Sequence, residues 1–175
     1  MDEQDNGAGI GNQPGQDGAL PNGADNAPAV GLLSQYVKDL SFENPNAPAV
    51  FQDAQGPEIN VQFDIAANQV ADDAHEVTLK IEVRAETQGR VTFLVELAYA
   101  GLFGVRNVPM DALQPFLLGE APRLLFPFAR RVVADTIRDG GFPPLLLEPI
   151  DFNSLYMQQA EQRDAQIASG NFGQA

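Results

Sequence analysis

Three long runs between residues 58 and 99 alternate apolar and polar side chains. Ile59, Val61, Phe63 and Ile65 interleave with Glu58, Asn60, Gln62 and Asp64. After Ala71-Asp72-Asp73-Ala74 come Val77, Leu79, Ile81, Val83 and Ala85, set between Glu76, Thr78, Lys80, Glu82, Arg84 and Glu86. Gln88-Gly89 marks another turn, and Val91, Phe93, Val95, Leu97 and Tyr99 then alternate with Thr92, Leu94, Glu96 and Ala98. A period of two sends the apolar residues to one face of a strand. Strands joined by such short turns predict an antiparallel meander with one face to be covered and one open to water. Upstream, Val37, Asp39, Ser41 and Glu43 alternate with Tyr36, Lys38, Leu40 and Phe42, so order is expected to begin near Tyr36. Asn44-Pro45-Asn46-Ala47-Pro48 ends that strand, because neither proline can donate to a ladder.

The cover is expected from the end of the chain. Asp111 offers an N-cap, and Pro115, Pro122 and Pro127 predict a helix that begins irregularly or in pieces. From Leu124 onward, the spacing of Leu125, Phe128, Val132, Thr136 and Ile137 is helical, and Asp139-Gly140-Gly141 supplies a stop. A second helix is expected from Asp151, with Phe152, Leu155, Tyr156 and Ala160 on one side. Strands first and helices afterwards predict an α+β fold: a four-stranded antiparallel sheet with helices on one face.

Composition adds a boundary. Residues 1–31 hold seven of the 16 glycines, three prolines and five acids (Asp2, Glu3, Asp5, Asp17, Asp25) without one basic residue. Such a stretch buries too little to offset its ordering entropy, so 1–31 reads as a disordered acidic tail, 32–168 as the domain and 169–175 as a flexible end. Gly7-Ala8-Gly9-Ile10-Gly11 follows no strand and does not complete a phosphate-loop pattern. The whole chain of 175 residues sets ten Lys and Arg against 24 Asp and Glu, a net charge of −14, which disfavours nucleic acid and anionic membranes. No apolar run approaches the roughly 18 residues needed to span a bilayer. The acidic start lacks the following apolar stretch of a secretory signal. With no cysteine, thiolate nucleophiles, Cys-ligated zinc and disulfides are excluded. A cytoplasmic protein is expected.

Candidate chemistry is sparse. His75 follows two aspartates at a turn; it reads either as a carboxylate-oriented base or metal ligand, or as an exposed histidine at a strand start. No second histidine completes a metal site, and no catalytic motif is present, so no catalytic residue, metal or cofactor is assigned. The pleat points Leu94 outward beside Glu96, and Asp39 and Glu43 could share that face. This is either a seat for a basic segment with an apolar anchor or an ordinary solvated surface. Two connections are apolar: Gly101-Leu102-Phe103-Gly104-Val105, and Phe142-Pro143-Pro144-Leu145-Leu146-Leu147 with Pro149-Ile150. They tuck under the helices, enter a subunit contact, or line a groove for an apolar client.

Tyr36-Val37-Lys38-Asp39-Leu40-Ser41-Phe42-Glu43-Asn44-Pro45-Asn46-Ala47-Pro48 resembles the opening signature of the SecB family of bacterial protein-export chaperones. Leu124-Leu125-Phe126-Pro127-Phe128-Ala129-Arg130 and Gly141-Phe142-Pro143-Pro144-Leu145 are similar to its long helix and crossover loop, and the resemblance runs from about 32 to 165. It implies a non-enzymatic holdase that needs no ATP, keeps preproteins unfolded and delivers them to the SecA ATPase. It implies a homotetramer, a dimer of dimers, with the long helices between dimers and Leu125, Phe128, Val132 and Thr136 in the interface. The SecA-binding residues would be Asp39, Glu43, Leu94 and Glu96, facing a zinc-containing tail that belongs to SecA. Phe103, Phe142, Leu145, Leu146 and Ile150 are the expected client groove. The competing expectations are a structural oligomerisation domain without clients and, third, an enzyme with an acidic cleft.

Overall fold

The computed structural model describes residues 26–168. Most of the acidic head, and the final residues 169–175, lie outside the described residues. Four strands, β1 (Ala29–Glu43), β2 (Glu58–Ala71), β3 (Ala74–Thr87) and β4 (Arg90–Arg106), form one antiparallel sheet in the order β1-β4-β3-β2. The α+β arrangement expected from the pattern is the one observed.

The meander follows its turns. β2 and β3 are joined across Asp72-Asp73, and β3 and β4 across Gln88-Gly89, where both φ values are positive (52° and 75°). That left-handed pair suits the right-handed twist of a two-residue hairpin. Val77, Leu79, Ile81, Val83, Phe93, Val95 and Leu97 are buried on the inner face.

β1 departs from expectation. It starts at Ala29, within the segment read as tail, rather than near Tyr36. Its ladder with β4 carries register shifts between Leu32 and Ser34 and between Val37 and Asp39. Each bulge inserts a residue, Leu33 and Lys38, and resets the alternation. Tyr36 and Lys38, expected beside Leu40 and Phe42, instead reach Glu76 on the opposite face, with their polar atoms 2.5 and 2.6 Å from its carboxylate.

The helical cover comes in pieces, as the prolines predict: α1 (Met110–Pro115), a π-helical turn (Phe116–Glu120), α2 (Ala121–Asp139) and α3 (Phe152–Ala168). Asp111 lies inside the first turn of α1 rather than capping it; Pro109 holds the cap position. Ala121, Leu125, Ala129, Val133 and Ile137 form the buried stripe of α2, packed on β3 and β4. Gly101 permits this approach, since a Cβ there would stand 2.7 Å from a Leu125 methyl. At the other end, Gly141 (φ +92°) closes the helix: its N–H bonds the Arg138 carbonyl, and the Phe142 N–H bonds that of Ile137. This Schellman closure satisfies carbonyls the helix would otherwise leave open. The α3 start is capped by Asp151, whose carboxylate accepts from the Ser154 N–H (3.0 Å) and hydroxyl (2.6 Å).

Candidate functional site

Two surfaces on opposite faces of the sheet carry the exposed chemistry. On the outer face, the β1–β4 register sets Asp39 against Ala98, Ser41 against Glu96, and Glu43 against Leu94. The next strand continues the rows with Lys80, Glu82 and Arg84. Asp39, Glu43, Leu94 and Glu96 therefore form one compact patch. The acids are exposed and Leu94 is half-buried among their stems. Ser41 donates a long hydrogen bond to Glu96 (3.4 Å), and Arg84 is engaged by Glu86 at 2.6 Å. Beside the patch, the Lys38 ammonium and then the Tyr36 hydroxyl hold the Glu76 carboxyl below its ordinary value, while Glu76 raises that of Tyr36.

The inner side ends in an aromatic ladder. Phe42 stacks on Phe93 (6.2 Å between centroids), Phe93 meets Phe142 (4.9 Å), and Phe142 meets Phe51 (5.2 Å). Phe51 sits in a 3-10 turn, Ala49–Gln52, within the connection that crosses from one sheet edge to the other. Asn46 pins that connection by donating to the Val91 carbonyl (2.8 Å), and Arg90 reaches Asp53 (3.2 Å). The Phe51 ring is 51% exposed and lies over Gly141. A four-residue turn has no periodicity, so its one signal in the sequence is a lone phenylalanine among turn residues.

Phe142, Leu145 and Ile150 are half-buried and packed against the core, and Leu146 is 77% exposed. Leu146 overhangs a groove of about 610 Å³ between α2 and the crossover segment, with Arg130, Arg131 and Arg138 on its walls. Arg130 donates to the Leu147 carbonyl (3.4 Å), tying the segment to the helix. Phe103 is a correction: it is fully buried against Phe116 (5.6 Å) beneath the π-helical turn and cannot line a groove.

The interface expectations divide in the same way. Leu125 is a core residue with no exposed surface, because it occupies the space above Gly101. Phe128 is 41% exposed, and Val132 and Thr136 are half-buried along the flank of α2. The apolar inner side of β1 is uncovered as well: Val30, Leu32, Val37 and Leu40 are exposed at the sheet edge. His75 also departs from expectation. It is half-buried on the inner row opposite Phe103 and Gln69, in a hollow of about 520 Å³. Its Nδ1 is shielded from solvent with no hydrogen-bond partner among the described residues.

A family model described as preprotein translocase subunit SecB matches residues 23–163. The chain is similar to the protein-export protein SecB of Sphingopyxis alaskensis, 67% identical over 141 residues covering 81% of this chain and 82% of the relative. It is 62% identical to that of Rhizorhabdus wittichii over 157 residues, covering 89% of this chain and 94% of the relative. Among solved structures, it is similar to the SecB-like chaperone Rv1957 of Mycobacterium tuberculosis, solved with a ChAD peptide from the HigA1 antitoxin. The TM-score is 0.59 at 21% identity, covering 69% of this chain and 90% of that one.

Proposed function

The chain belongs to the SecB family of protein-export chaperones, and on that premise we propose that its two surfaces divide the work between client and receiver. The aromatic ladder supports a holdase role. An unfolded polypeptide offers apolar side chains and unpaired backbone, and exposed Phe51 and Leu146 with half-buried Phe142, Leu145 and Ile150 offer apolar surface. Each contact is weak and sequence-tolerant, and several along one client multiply. β2 is an edge strand of the sheet, so a client backbone can add to it there. A folded protein hides both features. Selection then follows from competition between folding and capture, without nucleotide.

The outer patch of Asp39, Glu43, Leu94 and Glu96 is the proposed contact for SecA. A basic, zinc-containing tail would find fixed negative charge around one apolar anchor, which favours register and fast encounter. Assembly as a dimer of dimers would cover Val30, Leu32, Val37 and Leu40 at one contact, and Phe128, Val132 and Thr136 at the other. The proposed setting is the cytoplasm.

The observation that carries the client reading is the ladder of four rings ending in half-exposed Phe51. Titration calorimetry against one polypeptide, held unfolded in one run and native in the other, tests it. Binding to the unfolded form alone is expected. Equal binding to both forms, or to neither by a folded chaperone, overturns it.

A further inference from the structure

The two bonds to Glu76 each span a whole strand. β4 lies between β1 and β3, and neighbouring strands stand about 4.8 Å apart, so Tyr36 and Lys38 reach about 10 Å across the sheet to a carboxylate on β3. Each donor takes its own oxygen: the Tyr36 hydroxyl bonds Oε1 (2.5 Å) and the Lys38 ammonium Oε2 (2.6 Å). What lies beneath them is small. Tyr36 stands opposite Ala100 in the ladder, and Asp39 opposite Ala98. Ala100 has no exposed surface, although the pleat sets it on the outer face with Leu94 and Glu96. The Glu76 side chain keeps 12% of its surface, against 49% for Lys38.

The clamp sits on the second bulge of β1. Val37 pairs with Tyr99 and Asp39 with Ala98, which leaves Lys38 as the inserted residue without a place in the ladder. Counted from Tyr36 without that insertion, Asp39, Ser41 and Glu43 would face inward, and Leu40 and Phe42 outward. With it, Asp39 and Glu43 join the outer row, and Phe42 turns in to stack on Phe93. The Phe42 ring anchors the strand on the far side of Asp39. On the near side, the strand is tied by Tyr36 and Lys38 to Glu76.

We infer that Tyr36, Lys38 and Glu76 are positioning residues for the proposed SecA surface: by pinning the bulge at Lys38 they hold Asp39 on the outer face beside Glu43, Leu94 and Glu96. This rests on the SecA reading above and adds to it what keeps one of the acids in place. One ammonium meets one carboxylate, so the clamp shapes the patch without adding to its net charge. None of the three need touch the partner.

The test titrates the full chain with SecA at low salt and follows hydrogen exchange on the same proteins. Lys38→Met combined with Glu76→Gln removes the ion pair and leaves the net charge unchanged, so through-space attraction alone predicts no effect. The Kd for SecA is expected to rise about fourfold, the share of one carboxylate about 5 Å from a cation in water. Protection is expected to fall over residues 37–41 and to persist in β2 and β3. Asp39→Asn is expected to cost about fourfold in the wild-type background and little in the clamp-free one, the non-additivity of residues that act together. Tyr36→Phe, which changes no charge, is expected to give a smaller loss of the same kind. A wild-type Kd for the charge-balanced variant overturns the inference. So do equal costs of Asp39→Asn in the two backgrounds, or protection lost throughout β2 and β3. If Glu96→Lys also leaves SecA affinity unaltered, the assignment of the face fails and the inference falls with it. An effect of Glu96→Lys without one from the charge-balanced variant removes the clamp alone.

Discussion

Reversing one charge on the outer face, Glu96→Lys, separates the proposed SecA surface from the fold. Glu96 is exposed, with Ser41 opposite it on β1 and Glu82 opposite it on β3. A cationic group of SecA about 5 Å away in water attracts one carboxylate by about 0.8 kcal/mol. A lysine replaces that attraction with an equal repulsion, a change of about 1.7 kcal/mol or about 15-fold in Kd. The fold gains rather than loses, because two facing carboxylates become an opposite-charge cross-strand pair contributing at most about 1 kcal/mol. Calorimetric titration with SecA is expected to show the 15-fold loss at low salt and a smaller one at about 1 M, where screening shortens to about 3 Å. Affinity for an unfolded client, measured on the same preparation, is expected to stay unchanged. An unaltered Kd for SecA refutes the assignment of this face. Parallel loss of client binding refutes the division between the two surfaces.

Other perturbations reach different parts of the molecule. Leu125→Ala opens a cavity over Gly101 and is expected to cost about 2–5 kcal/mol in denaturant unfolding; Phe128→Ala, at the exposed flank, is expected to leave the fold intact and weaken assembly in sedimentation. Phe51→Ala is expected to speed client release with little loss of stability, whereas Phe103→Ala costs about 3–5 kcal/mol; equal effects of the two would end the distinction between groove and core. Glu76 is held below its ordinary value of 4.5 by Lys38 and Tyr36, so its contribution is fully present above pH 4.5 and disappears as pH falls through the lower folded value. Protection factors of β1 amides, taken against the intrinsic exchange rate at each pH, are expected to fall over that acid window, and Glu76→Gln to remove the dependence.

The hairpins were legible because their periods run unbroken for many residues; of the helical positions expected in α2, Leu125 and Ile137 lie on the buried stripe, whereas Phe128, Val132 and Thr136 lie off it. β1 was legible only over its last part, since the bulges at Leu33 and Lys38 each shift the pattern by one. A one-residue shift moves every later side chain to the other face. The same logic explains Leu125 and Phe103. An apolar residue at the right spacing belongs on a buried face, but spacing does not say whether its own sheet or another subunit does the burying. Gly101, which lets α2 approach, decides that for Leu125. Of the expected outer patch, all four residues share one surface because β4 and the last part of β1 keep their alternation.

The order β1-β4-β3-β2 has a consequence for biosynthesis. Ala29 pairs with Arg106 and Glu43 with Leu94, whereas β2, β3 and β4 pair with neighbours a turn away. At about 5–20 residues per second, the first strand to leave the ribosome waits several seconds for the last strand to appear. Through that interval Val30, Leu32, Val37 and Leu40 have no sheet to join. A newly made copy is thus, for a few seconds, the kind of chain that a finished copy is built to hold.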